Sequence, residues 1–311
     1  IGDVGRPDLA QKSEKISQED LAGLLFDSLQ KKIHPLEDHV IVYPAHGAGS
    51  ACGKNLSKET TSTIGEQKRT NYALRDGLTK NEFITELTDG ILPPPEYFGV
   101  NVTMNKNGYD SIHDVMHRSL TPLSIDSFKM HQLDGTIVLD TRTAVDFAKI
   151  HIPGSISIGL EGQFAPWVGA LFPNLNKPLI LICPKNKEEE TIRRLSRIGY
   201  DKVIGFLDGG IDTWVKNENI TSSIDRISAE QLASLDLEKT TIIDVRKPGE
   251  YEGEHIKDVI SLPLDYINQN ISKYPKDKKL HLHCAGGYRS IIAASILKAN
   301  GFNDLCDVVG G

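Results

Sequence analysis

Cys284-Ala285-Gly286-Gly287-Tyr288-Arg289-Ser290 brings a thiol, two adjacent glycines and a guanidinium into one stretch of seven residues. The chemistry open to such a set is nucleophilic attack by a thiolate. The glycines let successive backbone N–H groups turn inward as a nest for an anion. Arg289 adds a fixed positive charge, and both effects favour the thiolate over the thiol.

A loop of this kind works only if its neighbours aim it. Leu280-His281-Leu282-His283 reads as a strand running into Cys284, and Ser290 to Gly301 reads as a helix closed by glycine. The thiol then faces a helix N-terminus, where unpaired N–H groups and the macrodipole attract negative charge.

These elements belong to an internal repeat. Asp140-Thr141-Arg142 returns as Asp244-Val245-Arg246, His151-Ile152 as His255-Ile256, Leu179 to Cys183 as Leu280 to Cys284, and Gly209-Gly210 as Gly310-Gly311. The offsets run from 101 to 104 residues. A period of that size marks a duplicated domain rather than a solenoid. In each copy short apolar runs alternate with helical patterns, which predicts an α/β fold with parallel sheets covered by helices. The first copy reads Cys183-Pro184-Lys185-Asn186-Lys187-Glu188-Glu189-Glu190, without glycine or arginine. Pro184 removes a backbone donor and the glutamates put negative charge where an anion would sit. This copy is expected to be catalytically degenerate, a packing or docking scaffold.

The whole sequence has 311 residues, 39% hydrophobic and 25% charged, with a net charge of -7. That composition excludes wholesale disorder, and the acidic balance argues against a nucleic-acid partner. No apolar stretch is long enough to span a bilayer. The four cysteines, Cys52, Cys183, Cys284 and Cys306, show no close pairing, so a cytoplasmic, reducing location is expected. The expected domains are 1–107, 108–220 and 221–311. In the first, Ser17 opens a helix, Val40 to Tyr43 is a strand, Thr63 and Glu66 cap a second helix, and Asn101 to Tyr109 reads as a linker.

The Cys284 loop, with Asp244 to Tyr251 and His255-Ile256 upstream, resembles the active loop and signature of rhodanese-type sulfurtransferases. The resemblance implies that Cys284 takes up a sulfane sulfur as a persulfide and passes it to a thiol or cyanide. Arg289, with Ala285, Gly286, Gly287, Tyr288 and Ser290, would bind the anionic donor. Four residues separate Cys284 from Arg289, one fewer than in the loops with which cysteine phosphatases wrap a phosphate, and the smaller ring suits a single sulfur.

Gly2 to Leu9, Val42 to Ser50 and Thr61 to Gly65 resemble the second half of a metallo-β-lactamase-fold domain. The closest group is the persulfide dioxygenases fused to two rhodanese domains. That implies a mononuclear iron in the parent protein, on ligands upstream of Ile1, with Asp3 belonging to the turn that follows. Arg6 and Tyr43 match positions that contact the thiol cosubstrate, glutathione or coenzyme A. His46 matches a second-metal position of binuclear relatives. The expected donors are persulfides or thiosulfate, and a homo-oligomer is open. Ile1 and the Gly310-Gly311 end make the chain look like part of a longer polypeptide. Two other functions stay open: an iron-dependent dioxygenase or metal-dependent hydrolase, and a non-catalytic interaction module.

Other clusters read as bland. His113 and His117 have helical metal-pair spacing but no third ligand. His281 and His283 share a strand face and are expected to line or tune the pocket. Trp167 and Trp214 read as core or domain-interface residues, and Cys306 as structural. Cys52 could face the thiol pocket.

Overall fold

The computed structural model describes residues 4–5, 16–45, 59–88, 97–172 and 174–311. Arg6, His46 and Cys52 lie outside the described residues, so the expectations placed on them do too. The chain divides into two compact units, Ile1–Gly108 and Tyr109–Gly311.

The first unit packs α1 (Gln18–Ser28) against a later helix, with β1 (Ile41–Val42) pairing antiparallel to β2 (Ser62–Thr63). Ser17 and Thr63 cap α1 and α2 (Ile64–Thr70) through side-chain bonds to the amides of Asp20 and Glu66. The partner of α1 is α3 (Lys80–Thr88); Phe26 meets Phe83 at 5.4 Å, beside Leu74, Leu78 and Leu87. The expected linker at Asn101 to Tyr109 is corrected. Tyr97–Asn107 form helix α4, which ends at Gly108 with a φ of 88°. Asn101, Asn105, Asn107 and Gly108 mimic a linker, but no proline interrupts the run, and Thr103 satisfies its hydroxyl on the Gly99 carbonyl one turn back.

The second unit holds two sheets of five parallel strands each. It opens with α5 (Ile112–Ser119), β3 (Pro122–Leu123), α6 (Ile125–Leu133), β4 (Ile137–Asp140), α7 (Ala144–Lys149) and β5 (Ile156–Ser157). The first repeat continues with α8 (Phe164–Leu171), β6 (Leu179–Ile182), α9 (Glu188–Ser196), β7 (Val203–Leu207) and α10 (Gly210–Lys216). The second repeat runs β8 (Asp225–Ser228), α11 (Ala229–Ala233), β9 (Thr241–Asp244), α12 (Pro248–Gly253), β10 (Ile260–Ser261), α13 (Ile267–Asn270), β11 (Leu280–His283), α14 (Tyr288–Ala299) and β12 (Leu305–Val309). The strand orders are β3-β7-β6-β4-β5 and β8-β12-β11-β9-β10. Element for element they are the same order, so the sequence repeat is a repeat of topology.

Central strands such as β6 are buried at every residue, as strands covered on both faces must be. The repeated Asp-x-Arg is a structural clamp. Arg142 donates to both carboxylate oxygens of buried Asp140 and to the Ile150 carbonyl, and Arg246 does the same with Asp244 and the Glu254 carbonyl. The clamp compensates a buried charge and fixes the end of the following helix. The repeated histidine stacks on an aromatic ring: His151 on Phe147 at 4.1 Å, and His255 on Tyr251 at 3.9 Å. Burial pushes His151 down to about 4, so its ring is neutral at neutral pH.

Candidate active site

β11 delivers Cys284 and α14 begins at Tyr288. Between them Gly287 takes a φ of 77° as the N-cap, a conformation that glycine adopts without a Cβ penalty. This turn aims the Gly287 amide at the thiol, which accepts its hydrogen bond at 3.1 Å. The Ser290 hydroxyl lies 3.6 Å from the same sulfur. Cys284 is only 3% exposed, at the head of a twelve-residue helix. A sulfur anion here meets an N–H donor and the positive end of the helix dipole together.

The closing Gly310-Gly311 lies against the loop. A Cβ on Gly311 would collide with the Cys284 carbonyl and the Ala285 backbone. The tight approach explains the glycine at 311, and a φ of 84° in open space explains the one at 310.

Arg289 turns to Glu250, donating from Nη1 to Oε2 at 2.6 Å and from Nη2 to Oε1 at 2.8 Å. Its planar fork is matched to a carboxylate of the chain itself. Hydrogen bonding from Arg289 holds Glu250 down at about 2. Tyr288 also turns away from the sulfur, and its hydroxyl donates to the Gly159 carbonyl of the first repeat at 2.8 Å. Ala285 and Gly286 are exposed at the loop tip. In the first unit, Tyr43 follows β1 with 76% of its surface exposed.

A further ion pair, its carboxylate buried and its guanidinium partly so, lies beside the loop where no local motif announces it. Arg226 of β8 donates Nε to Asp307 Oδ2 of β12 at 2.9 Å. Asp307 is fully buried; burial pushes its carboxyl up, and hydrogen bonds from Ser290 and Arg226 pull against that shift. A Cβ on Gly287 would sit 3.9 Å from Arg226 Nη2. Its trace in the sequence is a lone carboxylate in the apolar run Leu305 to Val309.

The first repeat carries Cys183 at the matching strand end, 7% exposed. Burial pushes its thiol up to about 12, so it is protonated at neutral pH. The acidic turn Glu188 to Glu190 opens α9 and is tied down locally: Lys187 holds Glu190 and Arg193 holds Glu189. Cys183, Cys284 and Cys306 are all free and buried.

His283 faces Asp244 at 3.6 Å, and burial lowers the pKa of both His281 and His283. His113 and His117 are exposed on α5. Among the described residues no group of three or more His, Cys, Asp or Glu could hold a metal, and no helix is long and apolar enough to cross a membrane.

The rhodanese-like domain family matches residues 124–217 and 228–311. The protein YqhL of Bacillus subtilis (strain 168) is 37% identical over 73 residues, 24% of this chain and 58% of that protein. The tRNA uridine(34) hydroxylase of Escherichia coli (strain K12 / DH10B) is 34% identical over 90 residues, 27% of this chain and 26% of that protein. A metallo-beta-lactamase structure from Staphylococcus aureus subsp. aureus COL matches with a TM-score of 0.54 and 30% identity, covering 66% of this chain and 56% of that one. The chain thus spans less than two thirds of each of these proteins.

Proposed function

This chain belongs to the rhodanese-like domain family, and from that membership we propose that it is a sulfurtransferase working through Cys284. The observation that carries the reading is the Gly287 amide, 3.1 Å from the thiol at the start of a helix. The reaction runs in two displacements. After its proton leaves to solvent, the Cys284 thiolate attacks the outer sulfur of thiosulfate or of a small persulfide. The donor S–S bond breaks, and its electron pair departs with sulfite or the donor thiolate. Cys284 then carries the sulfur as a persulfide, whose negative charge the Gly287 amide and the dipole of α14 stabilise. A thiol or cyanide attacks the terminal sulfur, and the electron pair of the broken bond returns to Cys284.

The Glu250–Arg289 pair stiffens the start of α14 in this reading. The first repeat, with its thiol protonated, does no sulfur transfer of its own. Mass spectrometry tests the proposal. Incubation with thiosulfate should add one sulfur to the Cys284 peptide, and cyanide should remove it as thiocyanate. A Cys284 peptide that gains no sulfur from thiosulfate or from glutathione persulfide overturns it.

The likeness to the staphylococcal metallo-beta-lactamase structure supports a wider reading, in which the sulfurtransferase is fused to a persulfide dioxygenase. Glutathione or coenzyme A would be its thiol carrier and Tyr43 a contact for it. The described residues do not make an iron site, so the iron would rest on ligands outside them. Iron analysis and oxygen uptake with glutathione persulfide, measured on the intact parent protein, test that fusion.

A further inference from the structure

The two repeats do not merely touch. Helix α14 is buried without a break from Ser290 to Leu297, because it lies between its own sheet and the β5 edge of the first repeat. The amide of Ser157 on that edge donates to the Ser295 hydroxyl of α14 at 2.9 Å, in a buried bond. One turn from the reactive sulfur, Tyr288 crosses to the first repeat. Its hydroxyl donates to the Gly159 carbonyl at 2.8 Å.

The seat for this ring is built by two glycines. A Cβ on Gly162 would stand 3.3 Å from the Tyr288 ring, and one on Gly159 would stand 3.6 Å away. Gly162 has a φ of 100°, which a side chain rarely tolerates. The seat is fixed from behind. Arg194 of α9 donates to the Leu160 carbonyl at 2.7 Å and lies over the Phe164 ring at 5.2 Å. The segment that receives Tyr288 is therefore held by the helix that follows the degenerate loop.

Tyr288 is bonded to Gly287, whose amide contacts the Cys284 sulfur. A ring pinned at its far end restricts the peptide at its near end. We propose that Tyr288 is a positioning residue, through which the Gly159–Gly162 segment of the first repeat sets the Gly287 amide against Cys284. The first repeat has lost its own anion cradle, but in this role it forms the outer wall of its sister's. This inference rests on the sulfurtransferase reading for its consequence in turnover, not for its geometry.

The test uses the full 311-residue chain. Tyr288→Phe removes the hydroxyl and keeps the ring. Two quantities are read: thiosulfate-to-cyanide turnover, and the pH dependence of Cys284 alkylation by iodoacetamide, followed on its peptide. Losing one positioning hydrogen bond should lower kcat about fivefold, with KM for thiosulfate changed by less than about twofold. The alkylation curve should move to higher pH, since a displaced amide stabilises the thiolate less. A purely structural tyrosine would lower the thermal midpoint and leave that curve in place. Wild-type turnover and an unmoved curve in a folded Tyr288→Phe protein overturn the proposal. If Tyr288→Phe does not fold, Arg194→Met decides in its place: it loosens the seat from the first repeat's side, and an unmoved alkylation curve there overturns the proposal equally. If the unmodified chain transfers no sulfur, the sulfurtransferase reading falls, while the alkylation comparison still decides the coupling.

Discussion

Arg289 and Glu250 form a two-point ion pair, with both ends of the guanidinium seated on both oxygens of the carboxylate at 2.6 and 2.8 Å. The pair links the first turn of the active helix α14 to the first turn of α12. Glu250 sits at about 2 in the folded state, below the ordinary 4.5. A depressed carboxyl contributes stability above its unfolded value and loses it as pH falls through the folded one. Glu250→Gln should therefore unfold at a lower temperature than wild type at pH 7. The gap should close as pH falls from about 5 towards 2. Thermal melts followed by circular dichroism at both ends of that range check it.

The two strand-end thiols should behave as opposites. Cys284→Ser is expected to abolish sulfur transfer, whereas Cys183→Ser should keep at least about half of it, since Cys183 is held protonated by burial. Iodoacetamide at pH 8 should label Cys284 ahead of Cys183, which peptide mass spectrometry resolves. Equal losses in the two variants would reverse the assignment of roles.

Gly287→Ala tests the turn itself. At a φ of 77° an alanine is strained, and its Cβ would stand 3.4 Å from the Gly310 amide. The expected loss of stability is about 1 kcal/mol by urea titration. Turnover should fall more than that suggests, about tenfold, because the strained residue carries the amide that bonds the sulfur. A variant losing stability but keeping full turnover would separate the turn from the chemistry.

Asp307→Asn breaks the buried pair with Arg226. Removing one partner of such a pair should cost about 2 kcal/mol, moderated because Arg226 keeps some contact with solvent. Urea denaturation measures it. Replacing both residues, as Arg226→Met with Asp307→Leu, should recover part of the loss, because no uncompensated charge then stays buried.

The features legible in the sequence are those written locally. Leu179 to Ile182 announces a central strand because parallel strands buried on both faces read as unbroken apolar runs. The helix starts at Ser17 and Thr63 were legible because a cap needs only its own first turn. The Cys284 loop was legible because its glycines and its thiol are neighbours in the chain. What escaped depends on partners far apart. Arg289 reads as a free cation until Glu250, 39 residues away, is brought to it. Tyr288 reads as a substrate contact until Gly159, 129 residues away, takes its hydroxyl. Helix α4 escaped for another reason: Tyr97, Phe98, Val100, Val102 and Met104 do not fall on one helical face, so no period betrays it.

The bond from the Ser157 amide to the Ser295 hydroxyl spans 138 residues. Synthesis runs from the amino end, so the first repeat leaves the ribosome long before the serine that satisfies its outer strand. Until α14 has been made, that strand presents an open edge to every other nascent chain nearby. The contact is among the most distant in the unit and joins late, since far-separated pairings form slowly. A chain stopped before Tyr288 would therefore lose more than the helix behind its thiol: the half already built would be left with an uncovered edge and a bare face, a natural substrate for chaperones and proteases.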